Sequence, residues 1–183
     1  MRALGIIVAL ALVAAVVAMA GQPAVRPASA SSLPQAAAAQ ASASEMKTFT
    51  SAVDVQGLLA KAKAERKEGQ VMVPEHILSL APYTANLEYR PITGAVAVHE
   101  TEAELVYVID GGGTLTTGGT VVGEKRTNTT NLSGTSIDGG KVQTIAKGDF
   151  TIIPEGTPHQ FNPVNGALVL MTLHVARPVG AAQ

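Results

Sequence analysis

Residues 148–163 read Gly148-Asp149-Phe150-Thr151-Ile152-Ile153-Pro154-Glu155-Gly156-Thr157-Pro158-His159-Gln160-Phe161-Asn162-Pro163. Gly148-Asp149 is turn punctuation, and the β-prone run of Phe150, Ile152 and Ile153 follows it. Pro154-Glu155-Gly156 turns the chain, and His159 opens the next strand. A second stretch, Val98-His99-Glu100-Thr101-Glu102-Ala103-Glu104-Leu105-Val106-Tyr107-Val108-Ile109-Asp110-Gly111, lies upstream. His99 closes a strand whose alternate positions, Ala95 and Ala97, are small, so their shared face leaves room beside it. Glu104 opens the following strand in phase with Val106 and Val108, which turns its carboxylate toward an apolar interior. A buried, unpaired carboxylate is costly and calls for a cation or hydrogen-bond donors. Two imidazoles and one carboxylate at neighbouring strand ends can form a facial metal site with open coordination positions, here His99, Glu104 and His159.

Outward from these stretches, β-prone segments alternate with Gly, Asn, Asp and Pro from residue 85 onward, the pattern of an all-β sandwich or barrel. Strands are expected over 86–90, 95–99, 104–109, 113–117, 120–122, 142–145, 149–153, 159–162 and 167–175. Residues 126–140 are polar and read as a long surface loop. Gly111-Gly112-Gly113 and Gly118-Gly119 read as hairpin turns; no helix follows them to cradle a phosphate. Earlier, residues 51–69 read as a helix. Ser51 or Asp54 caps it, Val55, Leu58, Leu59 and Ala62 form its apolar stripe, and Gly69 stops it. Residues 71–83, bracketed by Pro74 and Pro82, fit a second short helix or an edge strand.

Aromatic residues are 3% of the 183, with no Trp, so the core must be aliphatic. The basic residues are scattered apart from a cluster at Lys61–Lys67 on the expected helix, which reads as a solvated face; no nucleic-acid partner is expected. The absence of Cys excludes disulfides, thiolate ligands and a Cys nucleophile. Residues 1–20 begin Met1-Arg2, continue as an uncharged Ala, Val and Leu run and end in Ala18-Met19-Ala20, a signal peptide cleaved before Gly21. The alternative is an uncleaved anchor. Cleavage implies a periplasmic or secreted protein without stable membrane insertion. Residues 21–45 are Ala-, Ser-, Pro- and Gln-rich and read as a disordered linker. The expected organisation is completed by a helical extension over 46–84 and a barrel over 85–183.

The two stretches resemble the motifs of the cupins, small jelly-roll barrels. Gly148, Pro154, Gly156 and His159 match the second motif in full; the Asn often found three residues beyond the His is displaced, Pro163 standing there with Asn162 one place early. His99, Glu104 and Gly111 match the first motif, whose first histidine is replaced by Ala97 and whose leading glycine by Pro91. The resemblance spans about half the chain. It implies an all-β cupin jelly-roll (double-stranded β-helix) barrel with a short N-terminal helical region. It also implies one divalent ion, of the Fe, Mn, Ni or Zn group, held by His99, Glu104 and His159, three ligands instead of four, and a homodimer.

Other candidates are weaker. His174 in the last strand reads as a packed or exposed strand residue, and His76 as structural or exposed. Glu100 and Glu102 are expected at the pocket rim facing solvent, either able to replace Glu104 if the turn is built differently. Tyr89 and Arg90 are adjacent, so only one faces the barrel; an inward Arg90 favours an anionic substrate. Three functions follow. The first is an exported metal-dependent oxygenase, decarboxylase, isomerase or lyase acting on a small oxygen-rich molecule; the second is a non-catalytic module binding a small ligand or metal. The third, a structural or storage role, is opposed by the retained His-Glu-His set. Fold does not choose among the reactions.

Overall fold

The computed structural model describes residues 46–177. The leader and linker expected over 1–20 and 21–45 lie outside them. One helix, α1 (Ala52–Glu65), precedes thirteen strands: β1 (Val73–Leu80), β2 (Tyr83–Arg90), β3 (Val96–His99), β4 (Glu102–Asp110), β5 (Gly112–Thr117), β6 (Thr120–Val122), β7 (Lys125–Arg126), β8 (Asn131–Gly134), β9 (Ser136–Asp138), β10 (Lys141–Ala146), β11 (Phe150–Ile153), β12 (His159–Pro163) and β13 (Leu168–Ala176). The first sheet runs β1-β2-β13-β4-β11 and the second β10-β5-β12-β3-β8-β7. Their central sets, β2-β13-β4-β11 and β10-β5-β12-β3, interleave along the chain as a jelly roll does. No ladder joins the two sheets among the described residues, so the expected barrel is a pair of facing sheets rather than a closed cylinder.

Burial explains the layers. Between the sheets lie Val106, Val108, Leu115, Ile145, Ile153, Phe161, Leu168 and Leu170, an aliphatic core with a single aromatic. A second cluster forms on the outer face of the first sheet, where Leu59 and Ala62 of α1 meet Val73, Ile77, Ala85, Leu87 and Val169. The first sheet is therefore buried on both faces where α1 covers it. Toward β11 the outer face is bare, and Phe150 and Ile152 are exposed.

The helix starts at the capping box of Ser51 and Asp54, each side chain answering the other's backbone N–H. It stops at Glu65, a turn earlier than residues 51–69 implied, because Arg66 is already extended. Gly69, with φ +74°, serves the turn that follows. Residues 71–83 resolve to the edge strand β1, antiparallel to β2. Helix in the 46–84 stretch is thus confined to α1 among the described residues. Residues 126–140 are not a plain loop. Asn131–Gly134 pairs with β3, and Ser136–Asp138 pairs with β6. The polar side chains hid these strands because backbone pairing with β3, not burial of an apolar face, holds β8 in place.

Candidate metal centre

Four side chains converge at one end of the space between the sheets. His99 ends β3, Glu104 lies in β4, His159 begins β12, and His174 lies in β13 directly opposite Glu104. Antiparallel partners project to the same face. The Ala97↔His159 pair therefore turns Ala97, His99 and His159 to one side of the second sheet. The full second motif explains the placement of His159. Gly148 (φ +95°) and Gly156 (φ +68°) take left-handed backbone at the two bends flanking β11. The Gly156 N–H donates to the His99 carbonyl at 2.7 Å, which ties the bend before His159 to the end of the strand bearing His99.

Glu104 Oε2 lies 2.9 Å from His159 Nε2 and 3.6 Å from His99 Nε2. Ligand atoms of His99, Glu104 and His174 all lie within 4.8 Å of one another. The His99 ring centroid is 4.3 Å from that of His174 and 5.3 Å from that of His159. Each histidine meets an oxygen at Nδ1: Asn131 Oδ1 at 3.0 Å from His99, the Thr157 carbonyl at 3.1 Å from His159, and Glu102 Oε2 at 3.5 Å from His174. A carbonyl oxygen accepts only, so His159 carries a proton on Nδ1. In the neutral ring its Nε2 then presents a lone pair to the Glu104 carboxylate. Two acceptors at 2.9 Å need a proton or a cation between them. Glu104 Oε2 and His174 Nδ1 are also buried without a hydrogen-bond partner.

The donor set fits a divalent ion of the expected group. Donors about 2.0–2.2 Å from one ion lie on the order of 3 Å apart when adjacent in its coordination sphere. Oxygen partners on the outer ring nitrogens are the usual second layer of a histidine metal site. Protonation states agree. Burial, the largest influence, pushes the His99 imidazole below its ordinary pKa, outweighing the hydrogen bond that its Nδ1 donates to Asn131 Oδ1. Burial pushes the Glu104 carboxyl up, but the contact with His159, and then the neighbouring imidazoles, outweigh it and hold that carboxyl below its ordinary value in the metal-free protein, where a proton between Glu104 and His159 stands in the place a cation would take. A neutral imidazole beside an ionised carboxylate is the form that ligates.

The structure corrects the reading of His174, which joins the site instead of packing elsewhere. The signal for it is the alternation Leu170, Thr172, His174 on the inward face of β13. That signal is masked because Val169 and Met171, facing the helix, are equally apolar. Glu100 is held by Arg126 through two contacts of 2.7 and 3.0 Å and is removed from the centre. Glu102 shares the face of Glu104 and reaches His174 instead of standing free in solvent. His76 is bonded at Nδ1 to Asn86 at 2.8 Å, away from the centre.

Arg90, not Tyr89, turns inward. Its Nε and Nη2 meet Glu88 Oε2 at 2.7 and 2.6 Å, and Thr172 donates to Glu88 Oε1 at 3.1 Å. Tyr89 packs on the helix-facing cluster. Beside His99, a cleft of about 290 Å³ is lined by Arg90, Gly94, Ala97, His99, Asn131 and Ser133 among others. Ala97, which stands where the cupin motif has its first histidine, thus opens onto free space.

No family model matches the chain, and no curated protein does. Solved structures similar to it include the TT1209 protein of Thermus thermophilus, with 17% identity over 66% of this chain and 95% of that one and a TM-score of 0.46. KdgF from a Halomonas species has 13% identity over 62% and 87%, with a TM-score of 0.45. The Schizosaccharomyces pombe Cnp3 cupin domain has 13% identity over 59% and 63%, with a TM-score of 0.43. The interleaved strand order is that of a jelly roll.

Proposed function

We propose that this cupin-fold chain binds one divalent ion of the Fe, Mn, Ni or Zn group through His99, Glu104 and His159, joined by His174, and acts on a small oxygen-rich molecule entering by the cleft beside Ala97. The observation that carries the reading is the facing of His159 Nε2 and Glu104 Oε2 at 2.9 Å with the His159 proton held at Nδ1. When bound, such an ion supplies Lewis-acid polarisation of a substrate oxygen, and iron adds redox chemistry. The chain's own residues do the rest. Asn131 and Thr157 fix the imidazole orientations of His99 and His159, and the Glu102 carboxylate stands 3.5 Å from His174 Nδ1. The aliphatic layer behind Glu104 excludes water.

An oxygenase, decarboxylase, isomerase or lyase reaction is compatible with this site. Non-catalytic binding is favoured by one observation: among the residues lining the cleft no carboxylate stands as a separate general base. The leader-like residues 1–20 support work in the periplasm or outside the cell, and the exposed Phe150 and Ile152 support the homodimer that the resemblance implies.

The test is metal content of the purified protein, wild type beside His99→Ala, His159→Ala and His174→Ala. A stoichiometric ion that is lost or strongly reduced in the variants supports the centre. No metal after metal-supplemented preparation, with all variants folded, leaves a metal-free binding jelly roll as the better account.

A further inference from the structure

We infer that the cleft beside the metal centre is a subsite for a singly charged carboxylate, anchored on Nη1 of Arg90. Four observations converge on this. Arg90 lies inside the fold with its side chain only 16% exposed. It is fixed there on two sides. Glu88, itself held by Thr172, engages Nε and Nη2, and the guanidinium carbon lies 5.0 Å from the Phe161 ring centroid. Among the described residues Nη1 makes no hydrogen bond. Nη1 lies beside Gly94, 3.6 Å from where a Cβ there would stand, and Gly94 lines the same cleft as His99. A guanidinium immobilised in this way offers a charge-assisted donor at little entropic cost.

Charge fixes the class of ligand. Arg90 is the one Lys or Arg among the cleft-lining residues, and Glu88 already offsets it. A carboxylate needs no more than the one charged donor that Nη1 offers, whereas a phosphate dianion finds no second Lys or Arg among the lining residues. The small side chains at Gly94, Ala95 and Ala97 leave room for a short molecule between Arg90 and His99. Its carboxylate meets Nη1, and a neighbouring hydroxyl or carbonyl oxygen faces the metal centre. This second anchor rests on the metal reading; the Arg90 contact does not.

The test is a calorimetric titration of the full-length chain with glycolate and with its uncharged analogue glycolamide, with and without metal. The wild type should bind glycolate about tenfold or more tightly than glycolamide, as a charge-assisted hydrogen bond implies. In Glu88→Gln/Arg90→Gln, which leaves no buried charge unpaired, the ratio should fall to about one with metal content unchanged. Arg90→Lys keeps the pair with Glu88 but removes the Nη1 donor; it should lose the preference too, and it serves if the double variant is unfolded. Equal binding of the two probes by the wild type, or a preference that survives in the variants, overturns the subsite. An Arg90-dependent preference in a protein that takes up no metal upholds the subsite and ends the metal-centre reading.

Discussion

At the scale of single residues, the site is held by what each ring nitrogen touches. Asn131 Oδ1 orients His99 from outside the centre, and Asn131→Ala should weaken metal binding roughly 10–100-fold, the usual effect of losing such a partner, as a competition titration would measure. Glu104→Gln should abolish tight metal binding while the chain still folds, because the amide keeps a polar partner for His159 Nε2; a metal titration beside urea unfolding in chelator checks this. The pH dependence has a definite sign. His99 and Glu104 both have folded pKa values below their ordinary 6.5 and 4.5, so the unfolded chain takes up their protons first. Stability of the metal-free protein is therefore full above pH 6.5, falls as His99 protonates below that, and falls again below 4.5. His99→Gln should remove the upper step; a stability profile flat from pH 7 to about 5 in the wild type would contradict the burial argument. His99, Glu104 and His159 were legible because a charged or titratable residue in phase with small or apolar neighbours is a strong signal. His174 and the inward Arg90 were not, since their strands are apolar or mixed on both faces.

At the scale of elements, two glycines of the 111–113 turn are structural demands. A Cβ on Gly111, which has φ +76°, would collide with the Ala167 carbonyl, and one on Gly113 with the Asn162 carbonyl. Gly113→Ala should therefore disturb the pairing of β5 with β12 and loosen the strand that bears His159. Lowered thermal stability together with lowered metal affinity is the expected readout. The helix is independent of this machinery. Ser51→Ala removes the capping box and should cost about 0.5–2 kcal/mol of stability while leaving metal content untouched. Strands of the core sheets could be read from the sequence to within a few residues because burial imposes alternation on them. The pairing of β8 and β9 could not, because Asn131, Ser133 and Ser136 carry no apolar signal, and their place is set by the backbones of β3 and β6.

For the whole molecule, the outer face of the first sheet divides into a part covered by α1 and a part left bare around Phe150, which stacks 4.5 Å from Tyr107. If the expected homodimer buries this patch, Phe150→Asp should convert a dimer to a monomer in light scattering; a monomeric wild type would end that expectation. The amino-acid sequence by itself determined the all-β class, the jelly-roll family of folds and three of the four side chains that converge. Its local periods and turn residues record which face of a strand is buried and where the chain must bend. Only the tertiary structure decided that His174 joins the centre, that Arg90 faces the cleft, and that residues 131–133 wall it. Each of these depends on which strand lies opposite which and on the helix covering one sheet from outside, and such long-range pairings leave no period in the chain.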